Sequence, residues 1–447
     1  MQEKNMGSSD QSQEPINLSR GHPNPGLLPT AALTDAATKA LSDPSISTPA
    51  LLYGPDEGYH PLREHIAQWM TEYYHPREPV SVDRITISGG ASQNLGCILQ
   101  VFTDPIYTRN VWMVAPTYFL ACSMFEDAGF AGRLRAVPQD DLHGVDFEFL
   151  RRELTIAEKK AAADGNCTPT HKPARPWAHI YKHIIYLVPT FSNPTGRTMP
   201  LSEREKLVRL ARDFDALIVC DDVYDFLQWS ADPSVPLHPS DTAPQPRLVD
   251  VDRFLDGGPS TPFGNVVSNG SFSKVIGPGL RTGWAEGTPQ LAYGLSQAGT
   301  SRSGGAPSQA TAAIIAQLFP QRTIHAFVAD VLRPTYARRY RLVVDALREH
   351  LVPLGATLPG LDSAAGGPVG GYYVWVRLPE PLRASELPLG RFGVAVGVGA
   401  LFAVRGDPVV ETSGFDRGAR VCFAWEEEGK LVEGVKRLAE AVRCALG

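Results

Sequence analysis

A chain of 447 residues exceeds the size at which a single hydrophobic core serves, so two domains are expected. Forty-two basic against 48 acidic side chains give a net charge of −6 without any basic block, which argues against nucleic acid or an anionic membrane as partner. No stretch approaches the roughly 20 apolar residues of a membrane span, and the polar run before Ile16 lacks the apolar core of a leader, so a cytoplasmic protein is expected.

Residues 1–14, rich in Ser, Gln and Glu, read as a disordered tail. Ile16-Asn-Leu-Ser-Arg-Gly-His-Pro-Asn-Pro25 reads as extended and leads into a short helix over 31–41, so 15–50 form an arm lying against the smaller domain. After the turn-rich loop Leu52 to Tyr59, residues 61–74 carry helical apolar spacing at Leu62, Ile66, Trp69 and Met70. Strands are predicted at 85–88, 111–115, 184–188 and 216–220. A helix bearing Leu95, Ile98, Leu99, Val101 and Phe102 follows the first of them. The last is preceded by a helix with a capping box at Ser202 and Glu205 and an apolar face of Leu207, Leu210, Ala211 and Phe214. Continuous apolar strands alternating with amphipathic helices predict an α/β fold with a mostly parallel sheet covered on both faces, and ligands at the strands' carboxyl ends.

Residues 157–178 and 230–263 lack a steady period and read as loops. Beyond 320 come a long helix including 336–351, strands at 371–378 and 419–424, and a final helix through Leu431, Val435, Leu438 and Val442. The expected division is therefore 51–318 for a large domain and 319–447 for a small α+β domain. Six scattered cysteines, Cys97, Cys122, Cys167, Cys220, Cys422 and Cys444, form no Cys-x-x-Cys pair and read as reduced packing residues. The eleven histidines are read as showing neither His-x-x-x-His spacing nor a nearby carboxylate set, so no metal is expected.

The chemistry gathers around Lys274, set between the strand-like run Val266-Val267-Ser268 and the turn Gly277-Pro278-Gly279. A buried lysine without a carboxylate partner loses its proton, and a neutral amine attacks a carbonyl to form an imine. Ser271, Ser273 and Arg281 add hydroxyl donors and a cation suited to phosphate. Gly89-Gly90-Ala91-Ser92-Gln93 leaves a strand and opens a helix, which points free N–H groups and the helix dipole at one spot. Asn193, in Asn193-Pro-Thr-Gly196, is a neutral donor at a strand's carboxyl end, where a plain turn is the competing reading. Asp221 ends another strand, suited to pairing with a pyridinium N–H, with Tyr224 in reach of a ring oxygen. A helix-capping aspartate is the alternative, and it suits Asp222 better. Tyr118 follows a strand where its ring could stack on a planar group or simply belong to the core. Arg420, among apolar neighbours in a late strand, calls for a carboxylate from a substrate or from a structural salt bridge.

Taken in order, Tyr53-Gly-x-x-x-Gly58, Gly90-Ala-Ser-Gln93, Asn193-Pro-Thr-Gly196, Asp221-x-x-Tyr224, Ser271-Phe-Ser-Lys274, Gly279-Leu-Arg-x-Gly-Trp284 and the late Arg420 resemble the pyridoxal-phosphate-dependent aminotransferases of fold type I, class I/II. The kynurenine/2-aminoadipate and aromatic aminotransferases look nearest. The resemblance implies a large domain with a mostly parallel seven-stranded sheet, a small domain, pyridoxal 5'-phosphate as cofactor, and a homodimer whose sites are shared, with Tyr53 lent by the neighbour. It implies that Lys274 bonds the cofactor covalently and carries the proton, and that Asp221 holds the ring nitrogen. Asn193 and Tyr224 would hold the ring oxygen, and Tyr118 the ring face. Ser92, Gln93, Ser271, Ser273 and Arg281 would hold the phosphate, and Arg420 the substrate α-carboxylate. The reaction implied is transfer of an amino group from an L-amino acid, aromatic, 2-aminoadipate-like or similar, to a 2-oxo acid. Carbon–sulfur lyases and elimination or replacement enzymes such as 1-aminocyclopropane-1-carboxylate synthase use the same Lys-Asp-Arg set and are the alternative. A ligand-sensing regulator is the weaker reading, since no DNA-binding module is seen before residue 16. Where relatives carry a Gly-Gly-like pair in the arm, this chain has Arg20 before Gly21, so Arg20 either meets a distal polar group on the substrate or points outward.

Overall fold

A computed structural model describes residues 14–140, 144–235, 242–361, 367–407 and 414–447; nearly all of the expected tail lies outside them. The central sheet comprises β1 (Ile85–Ser88), β2 (Val111–Val114), β3 (Leu134–Val137), β4 (His183–Leu187), β5 (Ala216–Asp221), β6 (Val266–Ser271) and β7 (Gly283–Glu286). They lie in the order β1-β7-β6-β5-β4-β2-β3. All neighbours run parallel except β7, which is antiparallel to both β6 and β1. Because β7 runs backwards, it begins where its neighbours end. Gly283 is paired with both Ser88 and Ser271, and Asn269 with Asp221, so these residues share one edge of the sheet.

Successive strand residues serve opposite faces, as the two-residue period of a strand requires. Ile184 and Tyr186 join Leu217 and Val219 against Leu95, Ile98 and Phe102, whereas Ile185 and Leu187 join Ile218 and Cys220 against Leu207 and Leu210. A further core links the arm residues Ile16 and Leu18 to Val374, Val376, Val421, Leu431, Val435 and Leu438 in the C-terminal part. There β8 (Tyr373–Arg377), β9 (Gly397–Val398) and β10 (Gly418–Cys422) form an antiparallel sheet in the order β8-β10-β9. The arm pairs in parallel as Ile16–Asn17 with Val394–Ala395, and Cys422 N–H donates to Leu18 O at 2.7 Å.

The helices relevant here are α1 (Thr30–Ser42), α2 (Pro44–Leu51), α3 (His60–Tyr74), α4 (Ala91–Phe102), α5 (Phe147–Ala163), α6 (Leu201–Asp213), α7 (Leu248–Phe254), α8 (Arg333–His350) and α9 (Glu428–Leu446). Four expectations need correction. The capping box is absent: α6 starts after Pro200, no side chain caps it, and Ser202 is already inside the helix; instead Glu203 in the first turn pairs with Arg197 at 2.7 Å. Residues 157–163 are helical, because Asp146 caps α5 by accepting from Phe149 N–H and the lysine–alanine run that follows is helix-forming. The 230–263 stretch holds α7, whose Leu248, Val249 and Val251 are buried; residues 236–241 lie outside the described residues. Finally, Cys167 and Cys444 are exposed, while the other four cysteines are buried packing thiols. No helix among the described residues is long and apolar enough to cross a membrane.

Candidate active site

β6 ends at Ser271, whose Oγ accepts from Ser273 N–H at 3.1 Å and tightens the chain into a turn over Phe272–Lys274. Buried Phe272 anchors that turn, and Lys274 projects from it into a cavity of about 380 Å³ at the shared sheet edge. Its Nζ donates to Gly21 O of the arm at 3.0 Å. Burial lowers this amine to about 8, against the opposing influence of Cys422 and Asp221.

Asp221 enters the same cavity from the end of β5. Tyr186 donates its hydroxyl to Oδ2 at 2.9 Å, while Oδ1 is buried without a partner. Burial raises the carboxyl to about 6, opposed by the Tyr186 hydrogen bond. Tyr224, buried, donates to the Tyr373 hydroxyl at 3.3 Å. Asp222 caps no helix; it accepts from Ser268 Oγ beneath the sheet edge.

Arg420 reaches in from β10. Its Nη1 donates to Asn193 Oδ1 at 2.7 Å and its Nη2 to Ser19 O at 2.6 Å, with the rings of Tyr373 and Phe402 at 4.1 and 4.8 Å from its guanidinium carbon. No carboxylate pairs with it among the described residues, and its Nε has no partner, so a structural salt bridge does not account for this cation. Tyr118 lines the cavity beside these groups, and burial pushes its phenol up to about 12.

At the other end of the cavity α4 opens with Ala91 and Ser92 beside Ser271, Ser273 and Arg281. Arg281 Nη2 donates to Gly89 O at 3.2 Å. Gly90 has φ 91°, and a Cβ there would stand 2.7 Å from Arg281 Nη2, so the turn admits only glycine and leaves backbone and guanidinium facing one small space. Asn269 fixes this helix start, accepting from Asn94 Nδ2 at 2.8 Å and donating to Ala91 O at 3.0 Å.

Two sequence-predicted residues are not gathered here. Gln93 turns away from the cavity: its Oε1 accepts from Gly89 N–H at 2.9 Å and its Nε2 faces Cys97. Tyr53 is 90 % exposed. Arg20 sits on the cavity rim with its guanidinium 4.1 Å from the Trp425 ring and Nε donating to His22 Nδ1 at 3.2 Å. The expectation that no His-x-x-x-His spacing occurs is wrong, since His179 and His183 stand at it. His179 engages Asp215, and His183 engages Glu158 and Trp112, so they do not converge. Sequence reasoning also missed Tyr186, Tyr373 and Asn269. The available signal was a phenol or amide inside an otherwise apolar strand, a group that needs a buried partner.

Pyridoxal phosphate has three ends to satisfy: a ring nitrogen, an aldehyde carbon and a phosphate. The unpartnered, buried Asp221 Oδ1 suits an N–H donor, Lys274 supplies an amine of lowered basicity, and the Gly90–Arg281 space with the start of α4 suits a dianion. The residues fit the group. The profile of the family "Aminotransferase class I and II" matches residues 14–438. An uncharacterized protein of Saccharomyces cerevisiae, YER152C, is 34 % identical over 88 % of this chain and 89 % of its own length. Aromatic-amino-acid aminotransferase 1 of Thermococcus litoralis is 28 % identical over 96 % of this chain and 88 % of its own. The crystal structure of Pyrococcus horikoshii kynurenine aminotransferase, in complex with PMP, superposes with a TM-score of 0.75 at 26 % identity, covering 98 % of this chain and 92 % of that one. With both the site chemistry and the whole-length match in place, the chain belongs to the class I and II aminotransferases and is a pyridoxal-phosphate-dependent transaminase of fold type I.

Proposed function

We propose that the amino donor is an L-amino acid with a large, largely apolar side chain, aromatic or with a polar far end as in 2-aminoadipate, and that a 2-oxo acid accepts the amino group. The observation that carries this reading is the cavity wall. Phe119, Leu120, Met124, Leu401 and Phe402 line it, and Arg20 stands on its rim with terminal nitrogens that no carboxylate pairs among the described residues.

When bound, the cofactor supplies an electron-accepting ring conjugated to the carbon that takes the substrate nitrogen. In this reading Asp221 keeps the ring nitrogen protonated, Asn193 and Tyr224 hold the ring oxygen, and Tyr118 covers the ring face. Ser92, Ser271, Ser273 and Arg281 hold the phosphate, and Gln93 supports that site by bonding Gly89 N–H. Arg420 receives the α-carboxylate on its free edge. Lys274 Nζ accepts the proton from the substrate Cα. The reading includes a homodimer in which Tyr53 serves the neighbour, supported by consecutive exposed Leu51, Leu52 and Tyr53, at 69, 63 and 90 %. It also places the protein in a reducing cytoplasm, supported by six free thiols. It divides the chain into arm (15–50), large domain (51–318) and small domain (319–447).

Holoenzyme mixed with single L-amino acids and no acceptor tests the donor class. Aromatic and 2-aminoadipate-class donors are expected to bleach the visible absorbance fastest and to release 2-oxo acids without ammonia or thiol. Arg20→Ala is expected to weaken acidic donors relative to aromatic ones by about two- to fivefold, the yield of an exposed ion pair. An unchanged ranking removes Arg20 from the reading, and preference for alanine-sized donors removes the reading itself.

The lowered basicity of Lys274 has its own signature. Covalent capture of added pyridoxal phosphate by the cofactor-free protein, measured as borohydride-fixed label on the Lys274 peptide, is expected to rise as the amine loses its proton and to level off above about pH 8. An ordinary lysine would gain until about pH 10.4.

A further inference from the structure

Tyr373 opens β8 and points into the cavity, yet the reading above gives it no task. It is only 4 % exposed, and among the described residues its hydroxyl has one hydrogen-bond partner, Tyr224. The arm presses against that same hydroxyl: a Cβ built on Gly21 would fall 2.0 Å from Tyr373 Oη, so the arm passes over the phenol with only a hydrogen to spare. Gly21 O in turn accepts from Lys274 Nζ. A phenylalanine would fill the same space without burying a polar oxygen, which costs free energy unless it is used.

Each phenol offers one hydrogen and two lone pairs, and hydroxyl hydrogens rotate. When Tyr224 donates to Tyr373, its only hydrogen is spent on its neighbour. When Tyr373 donates instead, the Tyr224 hydrogen is released toward the cavity and its oxygen is polarised by the hydrogen bond it accepts. Arg420, stacked on the Tyr373 ring, lies beside both phenols.

We propose that Tyr373 is a positioning residue for this reaction: its hydroxyl donates to Tyr224 and aims the Tyr224 hydrogen at the cofactor's ring oxygen, while its ring steadies Arg420 for the substrate carboxylate. This rests on the assignment of Tyr224 to the ring oxygen. The two parts separate by substitution, since Tyr373→Phe removes the hydroxyl and keeps the ring, whereas Tyr373→Leu removes both.

The pH dependence of the visible absorbance of holoenzyme reads the first part directly. A hydrogen bond donated to the ring oxygen stabilises the form in which that oxygen carries full negative charge, which is the form left when the lysine-bound nitrogen loses its proton. Weakening the donor therefore raises the midpoint. Tyr373→Phe is expected to raise it by about 0.5 to 1 pH unit, the worth of one hydrogen bond, and Tyr224→Phe by more. The other ionisable groups around the pair, Arg420, Asp221, Tyr118, Tyr372, Cys422 and Lys274, are the same in all variants. KM for the amino donor is expected to stay within about twofold in Tyr373→Phe and to rise about tenfold or more in Tyr373→Leu, as for loss of a cation–π contact of a buried guanidinium. A midpoint unmoved in Tyr373→Phe but raised in Tyr224→Phe overturns the inference alone. A midpoint unmoved in both overturns the Tyr224 assignment and the inference with it. Equal KM in the Phe and Leu variants overturns the second part.

Discussion

Lys274→Ala is expected to lower kcat by more than about 10⁴-fold, the upper end of what one positioned proton-transfer group contributes, because in the proposed reading the substitution removes the covalent attachment and the Cα base together. The cavity keeps the other proposed holds on the cofactor: Asp221 at one end, the Gly90–Arg281 space at the other. Gel-filtered variant protein is therefore expected to retain cofactor with the absorbance of a free aldehyde, and to lose it faster than the parent. Borohydride should fix no label on the peptide containing position 274. Half of the parent rate or more in the variant would exclude Lys274 as the base. The arm is affected as well, since Gly21 O loses its donor, so circular dichroism and a melting curve should accompany the kinetics.

Asp221→Asn has the second-largest expected effect, a fall of about 10² to 10⁴-fold in the rate of the half-reaction. The substitution keeps the shape and removes the charge that the proposed reading assigns to holding a proton on the ring nitrogen. A Cα-deuterated donor should show a larger isotope effect in the variant, since the proton step becomes slower than the others, while phosphate-dependent cofactor retention changes less. The same residue makes a separable stability prediction. Its folded value, about 6, lies above the ordinary aspartate value, so the folded state binds the proton more tightly than the unfolded chain. In cofactor-free protein the burial penalty is present above pH 6 and is relieved as pH falls through 6 toward 4. Cofactor-free Asp221→Asn should therefore melt at or above the parent at pH 8 and lose that advantage by pH 4 to 5. A variant less stable than the parent at pH 8 would contradict the account of a costly buried charge.

Much of the fold and site is legible in the residues, and the reasons are local. β2, β4 and β5 are short continuous apolar runs because helices cover both sides of a parallel sheet, and their carboxyl ends name the positions where Asn193 and Asp221 emerge. β7 escaped notice as a strand because Gly283-Trp-Ala-Glu286 is brief and ends in an acid; only the tertiary fold supplies Arg247, whose Nη1 donates to Glu286 Oε2 at 2.7 Å, to make that acid buriable. Tyr186 reads as one more core aromatic until register sets its strand beside β5 and its hydroxyl on Asp221. Tyr373 is similarly silent, since its meaning depends on an arm more than 350 residues away in sequence. The Ser202–Glu205 box failed because sequence spacing cannot say where a helix begins, and Pro200 had already set its start.

The backward course of β7 has a mechanical consequence. Phe272 N–H donates to Thr282 O at 3.2 Å and Ser271 pairs with Gly283, so Lys274 and Arg281 ride on a hairpin clasped at its base within the large sheet. The span between amine and guanidinium is thereby a property of one closed loop. Arg420, by contrast, is carried on the separate C-terminal sheet. Rocking of that sheet relative to the large one would move Arg420, the proposed grip on a substrate's carboxylate, while Lys274 and Arg281, the proposed anchors of the cofactor, kept their spacing.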